Sequence, residues 1–144
     1  MAVVLFLLVA AVIAALDVAV KRVVRERVAG GAPQAGEGPL ISVHPVTNPR
    51  GGLAELSPPA GALGLLVLAG LFIGLIVISD DAAWLAAGLG LAWGGAIGNW
   101  LDAVRNGEVT DCIRLRSGMT ANLADIAIAL GTVVAAISFV LAPW

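Results

Sequence analysis

The chain has 144 residues, of which 60% are hydrophobic and only 12% charged, with a formal net charge of −2 and a mean hydropathy of +1.00. Soluble domains carry about a quarter charged residues, so this is a membrane composition, and its slightly acidic balance excludes a basic nucleic-acid-binding surface. The single cysteine, Cys112, excludes an intramolecular disulfide and a multi-cysteine metal site, and the single histidine, His44, argues against a histidine-rich one; neither a metal nor another cofactor is expected.

Four apolar segments each approach the roughly 20 residues that about 30 Å of hydrocarbon requires. They predict an all-α integral membrane protein, with residues 1–144 forming a single four-helix domain. The first segment runs from Ala2 to about Val20. It lacks a basic leading region and is interrupted by Asp17, so a retained helix is expected rather than a cleaved signal. A long loop, 21–59, follows. It starts basic (Lys21, Arg22, Arg25, Arg27), in a stretch able to continue the helix out of the membrane, and then becomes flexible over Gly30–Pro39 by its Gly and Pro content. Leu40–Val46 alternates weakly, as a short strand would, and Asn48–Gly52 reads as a turn. The second span is expected over Ala60–Ile78 and the third over Ala82 to about Leu101. Only Ser79, Asp80 and Asp81 separate them, which demands an antiparallel hairpin. A polar loop from Asp102 to Asn122 leads to the fourth span, Leu123–Ala142.

Four spans put the first and third loops on one side, so Asp17, Asn48, Asn99, Asp102, Asp111, Asn122 and Asp125 converge at one membrane face. Ionisable residues at such a depth are costly and point to function. Each also has a blander explanation. Asn99 and Asp102 share a helix face with Gly95, while Gly94 and Gly98 form a small-xxx-small packing pair. Asn122 fits a helix N-cap, with Asp125 in the first turn where the helix dipole favours a carboxylate. Asp111 alone fits a solvated loop residue. Asp17 and Lys21, four apart, fit an ion pair that clamps the first helix. Cys112 is read as a small packing residue rather than a nucleophile, because the lone histidine is remote in sequence. Trp84, Trp93, Trp100 and Trp144 fit interfacial anchors.

The order of these residues is more specific than any one of them. Gly94-Gly95-Ala96-x-Gly98-Asn99-x-x-Asp102, then Gly107-x-Val109-x-Asp111, then Asn122-x-Ala124-Asp125, with Asp17-x-x-x-Lys21 and a turn at Asn48-Pro49 upstream, resembles the lipoprotein signal peptidase (signal peptidase II) family. The resemblance implies a catalytic aspartate dyad of Asp111 and Asp125. It implies site-lining roles for Asn99, Asp102 and Asn122, and a holding or lining role for Asp17, Lys21 and Asn48. It further implies a small β-like cradle from the first loop on the outer surface of a bacterial cytoplasmic membrane. The implied substrate is a diacylglyceryl-modified prolipoprotein, cut just before the lipidated cysteine by a monomer whose other partners are membrane lipids. The extracytoplasmic face so implied is opposed by charge: all eight Lys and Arg lie in the first and third loops, which the positive-inside rule places in the cytoplasm.

The chain departs from the family pattern where Ala103 follows Asp102 in place of arginine. It also departs in the turn Asn48-Pro49-Arg50-Gly51-Gly52 and at Cys112, Ala121 and Ile126. Arg50 is the candidate stand-in for the missing arginine. Two carboxylates within a few Å cannot both ionise comfortably, so one keeps a proton while the other acts as base toward a water. Two other readings stand beside this one. The first is a family relative that has lost catalysis and serves as a lipoprotein-binding scaffold. The second is a small proton-coupled transporter, which would need an ionisable group nearer the bilayer midplane.

Overall fold

A computed structural model describes residues 1–29, 41–42, 46–48, 57–79, 82–115 and 120–141. Among these, four helices form, α1 (Ala2–Ala29), α2 (Pro58–Ile78), α3 (Ala82–Asn106) and α4 (Leu123–Leu141), with five short strands, β1 (Ile41–Ser42), β2 (Val46–Asn48), β3 (Val109–Asp111), β4 (Ile113–Leu115) and β5 (Thr120–Ala121). Arg50 with the rest of its turn, the Gly/Pro stretch 30–39, Asp80, Asp81 and Trp144 lie outside the described residues.

Two helices outrun their expected ends. α1 continues to Ala29, helped by Lys21, Arg22, Arg25, Glu26 and Arg27, straight side chains that lose little rotamer freedom in a helix; Arg22 and Glu26 also pair there across one turn at 2.7 Å. α3 continues to Asn106 and stops at Gly107. That glycine takes φ +73° and donates its N–H to Ala103 O at 2.9 Å, a left-handed cap that a side chain would strain.

α3 is the centre of the bundle and packs against α1, α2 and α4. It runs parallel to α1, since Gly90, Gly94 and Gly98 meet Phe6, Ala10 and Asp17 in turn, and antiparallel to α4, since Gly88 meets Ala135 and Gly95 meets Ala124. A Cβ on Gly94 would stand 2.6 Å from Ala10 O, and one on Gly95 2.5 Å from Ala124 O. Small residues on opposite faces thus let two helix backbones close on the third, as packing in lipid favours. α2 lies antiparallel to α3, tied by the Trp93 indole N–H donating to Leu65 O at 3.0 Å. Trp93 is therefore not an interfacial anchor: it stacks on Phe6 with centroids 5.3 Å apart, while Phe72 meets Phe6 edge-on. Ile76, Leu85, Ala86, Leu89 and Ala135 complete that core.

Among the described residues, three helices are long and apolar enough to cross a membrane: Ala2–Arg27, Pro58–Ile78 and Leu123–Leu141. α3, expected as a further span, is not among them. Its glycines and its polar Asn99, Asp102 and Asn106 lower its hydropathy.

Replacing Gly131 by alanine tests this packing. The added Cβ would lie 2.5 Å from Gly88 O and 2.6 Å from Ala92 N, both backbone atoms that cannot swing aside. Overpacking of this kind costs about 1–3 kcal/mol, so the thermal midpoint in detergent should fall. Gly70→Ala, with nothing within 4 Å of its Cβ, should leave it unchanged. Equal midpoints for the two variants would contradict the close approach of α3 and α4.

The strands join the two long loops. β1, β4 and β5 form one antiparallel sheet in the order β1-β4-β5, and β2 pairs with β3 with Val46 opposite Asp111 and Asn48 opposite Val109. The expected single strand over Leu40–Val46 is thus two strands, each paired with the third loop. Asn48 is the last residue of β2, and the turn expected after it lies outside the described residues.

Candidate active site

Asp17, Lys21 and Arg25 recur every four residues and so share one face of α1. Lys21 is 1% exposed and Asp17 fully buried. The ammonium lies 2.7 Å from Asp17 Oδ2, at ion-pair distance but off hydrogen-bond alignment, and 3.8 Å from Asp102 Oδ2. It donates to Asn99 Oδ1 at 2.6 Å. An ammonium has no acceptor, so the Asn99 oxygen must face it and the amide nitrogen must face away. That nitrogen donates to Asp125 Oδ1 at 2.9 Å.

The start of α4 gathers the rest. Asn122 Oδ1 accepts the Asp125 N–H at 2.9 Å, and Asp125 Oδ2 accepts the Asn122 N–H at 3.0 Å, a reciprocal capping box. Asp17 Oδ1 takes the Ala124 N–H at 2.9 Å, so a carboxylate from α1 also caps α4, where the helix dipole favours it. The capping interpretation of Asn122 and Asp125 therefore holds, but it does not exhaust them. Asn122 also turns its amide to Asp111 Oδ1 at 3.2 Å, and Asp125 also holds Asn99. One asparagine thus touches both aspartates.

Asp111 is 5% exposed and so is not a solvated loop residue. Its other oxygen accepts the Thr120 hydroxyl at 2.5 Å. Asp102, 4% exposed, accepts the Thr110 N–H at 2.7 Å and the Asn106 amide at 2.8 Å, and it pairs with the Arg25 guanidinium. Cys112 is 4% exposed, and burial pushes its thiol above the ordinary cysteine range, which makes it a poor nucleophile.

The four carboxylates sort into two kinds. Asp17 has Lys21 and Asp102 has Arg25 as charge partners. Asp111 and Asp125, among the described residues, are held only by neutral donors: Thr120, the Asn122 amide and main chain, and Asn99. Asn122 is hydrogen-bonded to both of them. Asp17, Lys21, Asn99, Asp102, Asp111, Asn122 and Asp125 all come together here. Asn48 reaches the same region through the pairing of β2 with β3, its side chain lying outside the described residues. Arg25, Thr110 and Thr120 were not singled out by sequence. Arg25 carried one signal, its place two turns beyond Asp17.

The fold and site define a multi-pass membrane protein built as a helical bundle, with a buried carboxylate cluster at one end. A family model described as signal peptidase (SPase) II matches residues 9–141, and the chain belongs to that family. It is similar to the lipoprotein signal peptidase of Pelotomaculum thermopropionicum, with 36% identity over 100 residues that cover 60% of this chain and 66% of that one. It is also similar to the lipoprotein signal peptidase of Rhodococcus jostii, with 32% identity over 139 residues that cover 90% of this chain and 69% of that one. The matches thus span about two thirds of these relatives' length. A bacterial membrane enzyme whose structure was solved by the in meso method at 2.3 Å shares the fold with a TM-score of 0.68 at 19% identity, over 91% of this chain and 87% of that one.

Proposed function

We propose that the protein is an aspartic endopeptidase of the bacterial cytoplasmic membrane. Its reaction is removal of signal peptides from diacylglyceryl-modified prolipoproteins, by cleavage before the lipidated cysteine. Family membership supports the substrate class. The observation that carries the chemistry is the sorting of carboxylates: Asp111 and Asp125 lack cations among the described residues and are bridged by Asn122.

In this reading one aspartate of the pair takes a proton from water, which attacks the peptide carbonyl. The protonated partner donates to the developing oxyanion and then helps protonate the leaving amine. Asn99 and Asn122 fix the orientation of the carboxylates. Asp17 and Lys21 lock α1 to α3 and α4. Asp102 anchors β3, and Asn48 and Arg50 belong to the substrate-facing loop.

α3 serves as the fourth span, and the short strands form the cradle on the extracytoplasmic face. Family membership supports that orientation, against the bias of the eight Lys and Arg in the two loops on that side. The acyl chains of the substrate then fix the depth of the scissile bond at the cluster, and the enzyme works as a monomer among membrane lipids.

The test is incubation of the purified protein with a diacylglyceryl-modified precursor and with the same precursor unmodified. Cleavage of the modified form alone, directly before the cysteine, is the expected result. Failure to cleave either form would overturn the reading.

A further inference from the structure

Arg25 belongs to the polar cluster yet has no part in the proton transfers set out above. It lies one turn beyond Lys21 on α1, at the rim, with 36% of its side chain exposed. Its Nε and Nη2 both donate to Thr110 Oγ1, at 2.9 and 2.6 Å, and Nη2 also donates to Asp102 Oδ1. Asp102 Oδ2 in turn accepts the Thr110 main-chain N–H at 2.7 Å. Arg25, Asp102 and Thr110 thus close a triangle, and a planar guanidinium suits it because its donors sit in a rigid fork. Among the described residues, every hydrogen bond from α1 to β3 comes from Arg25.

Thr110 is 1% exposed and immediately precedes Asp111. The carboxylate of Asp111 is aimed by Thr120 and Asn122, but the position of its backbone is set by Thr110 on one side and by the pairing of Asp111 with Val46 on the other. We propose that Arg25 is a positioning residue for Asp111, acting through Asp102 and Thr110. The inference rests on the carboxylate-pair reading above. It makes α1 the reference against which the reacting group is placed: Asp17 caps α4, which carries Asp125, and Arg25 holds β3, which carries Asp111. One helix face thereby indexes both members of the pair.

The experiment measures kcat and KM on the diacylglyceryl-modified precursor for wild type, Arg25→Ala, Arg25→Lys, Thr110→Val and the Arg25→Ala/Thr110→Val double variant. Misplacement by about 1 Å costs up to about 100-fold, so Arg25→Ala should lose roughly 10- to 100-fold in kcat with KM nearly unchanged. Thr110→Val should behave alike. The double variant should be no worse than either single one, because both remove the same link. Arg25→Lys keeps the charge and guards against a folding failure. An ammonium is a point donor rather than a fork, so an intermediate kcat is expected.

A second readout does not depend on turnover. Cys112 is the only cysteine, is buried, and adjoins Asp111, so a maleimide should label it faster in solubilised Arg25→Ala than in wild type. Wild-type kcat in Arg25→Ala, a raised KM at unchanged kcat, additive losses in the double variant, or an unchanged labelling rate would each overturn the proposal. Asp111→Asn, assayed in parallel, keeps the two questions apart. Its full activity would sink the carboxylate pair, while Cys112 labelling would still report whether Arg25 holds β3.

Discussion

Asp111→Asn and Asp125→Asn are each expected to abolish precursor cleavage while the protein still inserts in the membrane. General acid–base catalysis contributes about 100- to 10,000-fold, and on the proposed mechanism both the acid and the base role depend on the two carboxylates together. The two variants should differ in stability. Asp111 accepts from the Thr120 hydroxyl and the Asn122 amide, and an asparagine oxygen can still take one of these. Asp125 closes a capping box with the Asn122 main chain and also accepts from Asn99. An amide there turns an NH2 toward one of those donors, and loss of a cap costs about 0.5–2 kcal/mol. Single-turnover cleavage together with the thermal midpoint in detergent separates the effects: both variants should be inactive, and Asp125→Asn should melt lower. Full activity in either one would remove the dyad.

Lys21→Met is expected to be the most damaging change outside the pair. It withdraws the ammonium from Asp17, which is fully buried, and breaking a buried pair costs about 3–5 kcal/mol because an uncompensated charge is left behind. It also frees the Asn99 amide, whose oxygen faces Lys21 and whose nitrogen faces Asp125. Activity should therefore fall even in molecules that remain folded. Adding Asp17→Asn should recover part of the lost thermal midpoint, since a neutral amide is less costly to bury than an unpaired carboxylate. A double variant that melts below Lys21→Met would show that the cap Asp17 gives Ala124 outweighs the buried charge.

The legible parts of this chain were those written in local spacing. The long apolar runs marked α1, α2 and α4, the three-residue link marked the antiparallel pairing of α2 and α3, and the i,i+4 interval marked the pairing of Asp17 with Lys21. Asn122 and Asp125 could be read as a cap because a cap is a three-residue affair. What escaped was written across distance. Arg25 looked like one more basic residue after a span, because its partners Asp102 and Thr110 are 77 and 85 positions away. The pairing of the strands escaped for the same reason, since β1 and β2 find their partners in the third loop and not in each other. Trp93 looked like an interfacial anchor until Phe6, from another helix, was placed against its ring.

The sheltered position of α3 bears on how the chain enters the bilayer. On the four-span reading, insertion machinery that met α3 alone would meet a helix thinned by glycine and ending in Asn99 and Asp102, with little affinity for hydrocarbon of its own. α2 precedes it by only three residues and is apolar throughout, so the two are suited to enter together as a hairpin, with α2 supplying the affinity for lipid that α3 lacks. The polar end of α3 then waits for Lys21 and Arg25 of α1, already in place, and for the first turn of α4, still to come. Completion of the polar cluster and completion of membrane integration would be the same event.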